Sequence, residues 1–287
     1  TRDFSFLMSG NYLMHVYDFQ SGIELFSLPF FVTEDVGTFN NSVETIYNSG
    51  IYGEAEDLIS GEYLYPDFVQ FPQFDLSYHF VQNRFLAQSK SPQQINFVEE
   101  GQTTFRFLDS QLFPSYFDFN LLNLSRLNLQ NPAIYNYQPG FAPERVYLFP
   151  DYFNFSTQVN NGQQNGLGYP QANWDAKYAE VNFTFDAGFS DSNGGSVYLI
   201  GDFNQWTVND ASQLTYNSKT GRFDGRALIK QGSYSYKYVS VKAGRINTLL
   251  LSESITGQPQ EYIGFVYDQD PQYLIDRLLN VKVFRTN

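Results

Sequence analysis

Few side chains in this chain belong to the types that do covalent or metal chemistry. It has no cysteine, which excludes thiolate metal sites, disulfide staples and a cysteine nucleophile. The two histidines, His15 in Leu13-Met14-His15-Val16-Tyr17 and His79 in Leu76-Ser77-Tyr78-His79-Phe80, sit in strand-like contexts. They lack the His-x-x-x-His spacing that brings two imidazoles to one ion, so no zinc site is expected. No Gly-x-Ser-x-Gly elbow or phosphate-cradling glycine loop occurs, and Gly194-Gly195 reads as a turn. Glycoside hydrolysis needs two carboxyl groups about 5–10 Å apart. Asp202 and Asp224 are the candidates by location, but turn formation competes, because Asp readily bonds its own backbone. Arg106 with Asp109, and Asp276 with Arg277, read as structural pairings near strand ends. The expectation is a protein that is not an enzyme and holds no cofactor or metal.

The elements that would position these groups are built mainly from rings. The 287 residues include 29 Phe and 22 Tyr, and 42% are hydrophobic. Each buried ring removes about 150–250 Å² from water, so a packed core is within reach. With two Met and no sustained Ala/Leu/Glu/Lys run, the composition suits pleated strands, and the expected class is all-β. The length fits two domains of roughly 100–200 residues, or two and a fragment.

Charge narrows the partners. Seventeen basic against 30 acidic residues give −13, which opposes counterion-release binding to nucleic acid. No run reaches the roughly 20 apolar residues of a membrane helix. Thr1-Arg2-Asp3-Phe4 lacks the basic-then-apolar start of a signal peptide, so any export signal is expected outside this chain. The charge is also uneven: Thr1 to Asp75 holds one basic residue, Arg2, against twelve acidic ones. Lys219, Arg222, Arg226, Lys230, Lys237, Lys242 and Arg245 instead form a basic stretch broken by one acid, Asp224. Two readings stand, solvated faces or a docking surface whose polarity steers association.

Along the chain, Phe4 to Val32 alternates apolar and polar residues and breaks at Ser9-Gly10-Asn11 and Gln20-Ser21-Gly22, as strands joined by tight turns do. Glu34-Asp35 to Asp57, with Asn40-Asn41, Asn48-Ser49-Gly50, Glu54 and Glu56, reads as a connection or exposed edge. Period-2 patterns then mark strands at Phe105 and Phe107, at Phe117, Phe119 and Leu121, at Val146 to Phe149, and at Val181, Phe183 and Phe185. Val197 to Ile200 reads as a buried strand, and Tyr234, Tyr236 and Tyr238 alternate with Ser235 and Lys237. Two Asn-Gly pairs within Asn160 to Gly166 mark a hairpin loop or linker. One short helix is expected from Asp270-Pro271 through Leu274 and Leu278. The expected architecture is tandem immunoglobulin-like β-sandwiches: residues 1–35 as the tail of an N-terminal sandwich or extra strands, 36–170 as a middle sandwich, and 171–287 as a last one.

Val197-Tyr-Leu-Ile-Gly-Asp-Phe-Asn-Gln-Trp206, followed by Leu228-Ile-Lys-Gln-Gly-Ser-Tyr-Ser-Tyr-Lys-Tyr238, resembles the early-set immunoglobulin-like modules that bind glycogen and starch. The resemblance implies a sugar platform with Asn204, Trp206 and Tyr236 as its members. Those modules usually carry a second Trp after the tyrosine-rich strand, whereas Val239-Ser-Val-Lys-Ala-Gly244 follows here. The competing role for Trp206 is an anchor that packs the turn against the sandwich.

A wider resemblance covers nearly the whole chain. Gly10-Asn11-Tyr12 leading to Phe30-Phe31-Val32, Gln82-Asn83-Arg84, Phe105-Arg106-Phe107-Leu108-Asp109, Ala176 to Phe185, Gly201 to Tyr238, Glu261 to Tyr267 and Asp276-Arg277-Leu278-Leu279 occur in this order. In that order they are similar to the plug family of the Bacteroidetes type IX secretion system. Phe85-Leu-Ala departs from the aromatic sequence that follows Gln-Asn-Arg in that family, and no full N-terminal domain precedes Gly10. The resemblance implies a periplasmic protein, peripheral to the membrane at the inner face of the outer membrane, that seals the opening of the giant translocon β-barrel. The alternative expectation is an α-glucan-binding module protein of the cell envelope.

Overall fold

The computed structural model describes residues 5–17, 19–22, 24–47, 55–108, 111–115, 119–152, 176–190, 195–247, 260–270 and 275–286. The fold is all-β, as expected, and comprises two compact units. One consists of Thr1–Arg84, Ser89–Ser115 and Gln260–Asn287, the other of Phe85–Gln88 and Tyr116–Pro259.

The first unit opens with an antiparallel hairpin of β1 (Gly10–Tyr17) and β2 (Glu24–Val32). Then follow β3 (Thr38–Tyr47), β4 (Ala55–Leu64), the single-turn helix α1 (Pro72–Asp75), β5 (Leu76–Gln82), β6 (Gln94–Glu99), β7 (Gln102–Arg106) and β8 (Phe113–Pro114). One sheet runs β3-β4-β7-β6, and β8 also pairs with β4. In β7 Thr103 and Phe105 are buried while Thr104 and Arg106 are exposed, the alternation the pleat imposes.

The second unit contains β9 (Asn120–Asn123), β10 (Ile134–Gln138), β11 (Glu144–Leu148), β12 (Asp151–Tyr152), β13 (Tyr178–Asp186) and β14 (Ser196–Gly201). It continues with β15 (Thr215–Asn217), β16 (Arg222–Lys230), β17 (Ser233–Lys242) and β18 (Arg245–Asn247). One sheet has the order β10-β11-β13-β16-β15 with β12 also on β13; the other has β14-β17-β18 with β9 also on β17. Val181, Phe183 and Phe185 of β13 meet Val197, Leu199, Tyr236 and Tyr238 of the other sheet in one apolar core.

Two last strands, β19 (Glu261–Asp270) and β20 (Ile275–Arg285), belong to the first unit. They form the sheet β20-β19-β5, with Tyr262 opposite Gln82 and Phe265 opposite His79. Phe39, Ile59, Phe80, Phe105, Val266 and Leu279 fill the space between this sheet and the β3-β4-β7-β6 sheet. At Gly264 the rings of Phe80 and Phe39 come so close that an added Cβ would stand 2.8 and 2.9 Å from them, which reserves the position for glycine.

These boundaries differ from the expected cuts at 35 and 170. Period-2 patterning locates strands but not their partners, and here β19 pairs with β5, residues 76–82, rather than with β18 just before it, and β20 then adds to β19. The helix expected through Leu278 is also replaced, since Ile275–Arg285 is a strand; residues 271–274 lie outside the described residues. The expectation rests on Pro271 in a first turn and on Leu274 and Leu278 four residues apart, whereas Leu278 stands opposite Tyr267 in the ladder with β19. The register skips Leu279 between Val266 and Tyr267, a bulge that breaks strict alternation where Leu278, Leu279 and Asn280 are buried in succession. The Asn-Gly loop at 160–166, and Asp109, Phe117, Asp118 and Gly194, lie outside the described residues.

The expected connection through Glu56 and Asp57 is instead the interior of β4, where both carboxylates are buried. Asp57 accepts hydrogen bonds at 2.6 Å from the Thr45 hydroxyl on Oδ1 and from the Tyr262 hydroxyl on Oδ2. The Tyr262 oxygen in turn accepts from Gln82 Nε2 at 3.1 Å. Burial pushes the Asp57 carboxyl above its ordinary range, and the two hydroxyl donors pull part of the way back. A carboxyl held high in the folded state stabilises the fold most when protonated, and that contribution is lost as pH rises through the raised value. In urea unfolding between pH 4 and 7, wild type should therefore gain stability relative to Asp57→Asn as pH falls; a pH-independent difference would contradict this. Tyr262→Phe, which leaves Oδ2 without its donor, should cost about 1–3 kcal/mol in the same assay.

Candidate functional site

The turn after β14 is where the sequence places a sugar platform. Asp202–Asn204 make one turn of 3₁₀ helix, and Gln205 and Trp206 follow with φ of 55° and 56°. Two successive non-glycine residues in the left-handed region cost about 1–3 kcal/mol each, so the surroundings must over-determine the turn. They do so with a set of hydrogen bonds. Asn204 Oδ1 accepts from the Gly201 N–H and its Nδ2 donates to the Leu199 carbonyl, both at 2.8 Å. The Trp206 N–H donates to the Gly201 carbonyl at 2.9 Å. Asp202 accepts from Trp206 Nε1 at 3.0 Å and from the Ser235 N–H at 2.7 Å.

Trp206 consequently points inward. Only 2% of it is exposed, and it packs with Phe85, Phe119, Ile200 and Val239 on the face of β14 and β17 opposite the main core. The Phe119 ring meets it edge-on at 5.6 Å. Of the two roles open in the sequence, the geometry is that of the anchor. Tyr236 is buried as well, and its hydroxyl donates to Asp151 Oδ2 at 2.9 Å while Tyr238 donates to the same oxygen at 2.6 Å. Burial and the adjacent carboxylate push both tyrosine hydroxyls far above their ordinary range, and burial raises Asp151. The three sugar-platform candidates are therefore engaged internally and offer no open ring face.

The carboxylate pair separates in the same way. Asp202 holds the turn, whereas Asp224 on β16 accepts from Thr184 Oγ1 and Asn217 Nδ2, both at 3.1 Å. His79 accepts or donates at 3.0 Å to Ser91 Oγ and meets Tyr267 edge-on, and burial lowers its pKa. His15 lies on β1 beside Tyr17. Among the described residues no three His, Asp or Glu side chains are grouped to hold a metal ion.

The basic stretch does not form one patch. Arg222, Arg226 and Lys230 lie on β16 in one sheet, whereas Lys237, Lys242 and Arg245 lie on β17 and β18 in the other. Arg222 pairs with Asp186 and Arg226 with Glu180, and Lys219 is exposed in the turn before β16. Lys237 is only 4% exposed, because the Trp206 cluster covers the outer face of β17. Alternation with Tyr236 and Tyr238 suggests a wet face there, and a second apolar layer removes it.

Sequence reasoning misses a buried polar cluster that joins two separate motifs. Gln82 Nε2 donates to the Pro114 carbonyl at 2.6 Å, Asn83 Nδ2 to Gln260 Oε1 at 2.7 Å, and the Glu261 N–H to Asn83 Oδ1 at 3.0 Å. Glu261, itself buried, accepts from Arg285 at 2.7 Å and has Arg84 Nε at 3.9 Å. Nearby in the same unit, Lys90 donates to the Leu112 carbonyl at 2.5 Å over the Phe113 ring, and burial lowers its pKa to about 8. The signal was present as Gln82-Asn83-Arg84 and Glu261-Tyr262, but their meeting is visible only once β5 and β19 pair. Arg277 likewise bonds Glu34 at 2.6 and 2.9 Å, not its neighbour Asp276.

What faces outward is often apolar. On the β1–β2 hairpin Leu13, Met14 and Tyr17 are about half exposed, and Phe19 in its turn is fully so. In the first unit Phe68, Phe71 and Phe74 are also exposed.

The fold and these contacts define an all-β protein in which the candidate site residues described above are engaged within the fold. No family model and no curated protein matches the sequence. Among solved structures, a hypothetical protein from Parabacteroides merdae ATCC 43184 is similar, with a TM-score of 0.79 and 24% identity over 97% of this chain and 72% of that one. At that identity the likeness concerns the fold alone.

An anchor role for Trp206 has a direct readout. Trp206→Ala should lower unfolding stability by about 3–5 kcal/mol. A variant that melts like wild type would mean the ring is not packed inside.

Proposed function

We propose that this chain is a non-catalytic interaction protein, and specifically a plug subunit that seals the periplasmic opening of the type IX translocon barrel. The observation that carries the interfacial part is the contrast between candidate site residues engaged inside the fold and apolar side chains left outside it. Asn204, Trp206, Tyr236, Asp202 and Asp224 are engaged within the fold, while Leu13, Met14, Tyr17 and Phe19 face solvent. Apolar side chains left in water in groups mark surfaces that meet another protein. The translocon as partner rests on the ordered resemblance of motifs from Gly10 to Leu279. A structural relative from a Parabacteroides species is compatible with it.

In this reading the mechanism is steric. Rigid sandwiches cover the barrel mouth through an interface that must exceed about 1,000 Å² in total to be specific. No helix among the described residues is long and apolar enough to cross a membrane, in keeping with peripheral attachment. Tagged protein purified from cell envelopes should bring down a giant outer-membrane barrel, and deletion should make the envelope more permeable to large polar solutes. Recovery of the protein alone with unchanged permeability would overturn the proposal. Calorimetric binding of α-glucans to the intact chain would instead favour the carbohydrate-binding reading.

A further inference from the structure

Segment 65–75, Tyr-Pro-Asp-Phe-Val-Gln-Phe-Pro-Gln-Phe-Asp, links β4 to β5 and has an unusual distribution of rings. Phe68, Phe71 and Phe74 are 46%, 57% and 76% exposed, while Val69 and Pro72 between them are buried. The period of three follows from the backbone. The Val69 N–H donates to the Pro66 carbonyl at 3.0 Å, and the Phe74 and Asp75 N–H groups donate to the Phe71 carbonyl at 2.9 and 3.0 Å. Successive turns therefore direct every third side chain, Val69 and Pro72, inward, and leave Phe68, Phe71 and Phe74 at the surface beside Asp67, Gln70 and Gln73.

This is a costly use of phenylalanine. Burying such a side chain is worth about 1.5–3 kcal/mol, and a ridge of three forgoes much of that gain in the free protein. Because hydrogen bonds and buried neighbours already fix the backbone, little ordering entropy remains to be lost on docking. Rigid aromatic anchors of this kind dominate protein interfaces.

The charge around the ridge selects the partner. Asp67 and Asp75 flank it, Gln70 and Gln73 lie between the rings, and no basic residue occurs from 65 to 75. Arg277, from β20, sits 4.8 Å over the Phe68 ring and is held by Glu34 and Asp268. The wider stretch from Thr1 to Asp75 has one basic residue against twelve acidic ones. An anionic lipid surface would be repelled, whereas an apolar protein groove rimmed by Lys and Arg complements both the rings and the charge.

We infer that the Phe68–Phe71–Phe74 ridge is the docking surface for a basic-rimmed apolar groove on the translocon barrel, an inference that rests on the plug reading above. The test uses the full chain, tagged and purified from envelopes. Phe68→Ser, Phe71→Ser and Phe74→Ser together should reduce recovered barrel about tenfold or more, with circular dichroism and melting temperature unchanged. Asp67→Lys with Asp75→Lys should also reduce recovery, more strongly at low salt than at high salt. A photo-crosslinking phenylalanine analogue at position 71, in an otherwise unaltered chain, should attach to the barrel; this arm decides if the triple variant melts early. Wild-type recovery by a folded triple variant, or crosslinks only to a second copy of the chain or to lipid, overturns the ridge and leaves the plug reading standing. A wild-type chain that recovers no barrel overturns the plug reading, and this inference with it.

Discussion

The first unit depends on one pairing between distant parts of the chain, β5 against β19. Gln82 and Tyr262 are 180 residues apart, yet the ladder between their strands places Tyr262 and Val266 against a core begun by Phe39, Ile59 and Phe80. Without β19 and β20 the β3-β4-β7-β6 sheet would lack the facing sheet that buries its apolar side. The entropy of closing so long a loop grows only logarithmically with length, so the pairing is affordable once its hydrogen bonds and rings are made. Its polar members explain why Asp57 and Glu261 can be buried: each carboxylate meets donors in position, hydroxyls for Asp57 and guanidinium for Glu261.

Much of the local structure is legible in the sequence, because strand formation in this chain follows alternation. Val181, Phe183 and Phe185, the run Val197 to Ile200 and the tyrosines of β17 all occupy strands where the pattern places them. Long-range pairing is not written in alternation. The unit boundaries therefore escape the sequence, as does the strand character of Ile275–Arg285, because Pro271 followed by Leu274 and Leu278 four residues apart has the spacing of a short helix. A strand buried on both faces also defeats the pattern. Lys237 alternates with tyrosines as a solvent-facing residue would, but the layer formed by Phe85, Phe119 and Trp206 covers it.

The candidate site is less legible, for a related reason. Trp206 and Asn204 have the residue types of a sugar-binding turn, but type does not reveal direction. Direction is set by Asp202, which accepts from both the indole and the backbone of Ser235 and so turns the ring inward. The absence of a second Trp after Tyr238 is the one sequence signal that points the same way. The polar cluster around Gln82, Asn83, Gln260 and Glu261 carries a comparable lesson: residues that stand out as motifs can be the joints of the fold.

The architecture can be tested most directly by hydrogen exchange after removal of residues 260–287. Interleaved units predict that amides of β3, β4, β5 and β7 lose their protection, because the first unit loses its closing sheet, while those of β13, β14, β16 and β17 keep theirs. Retained protection throughout β3 to β7 would contradict the account and mean that the first unit is complete without its last two strands.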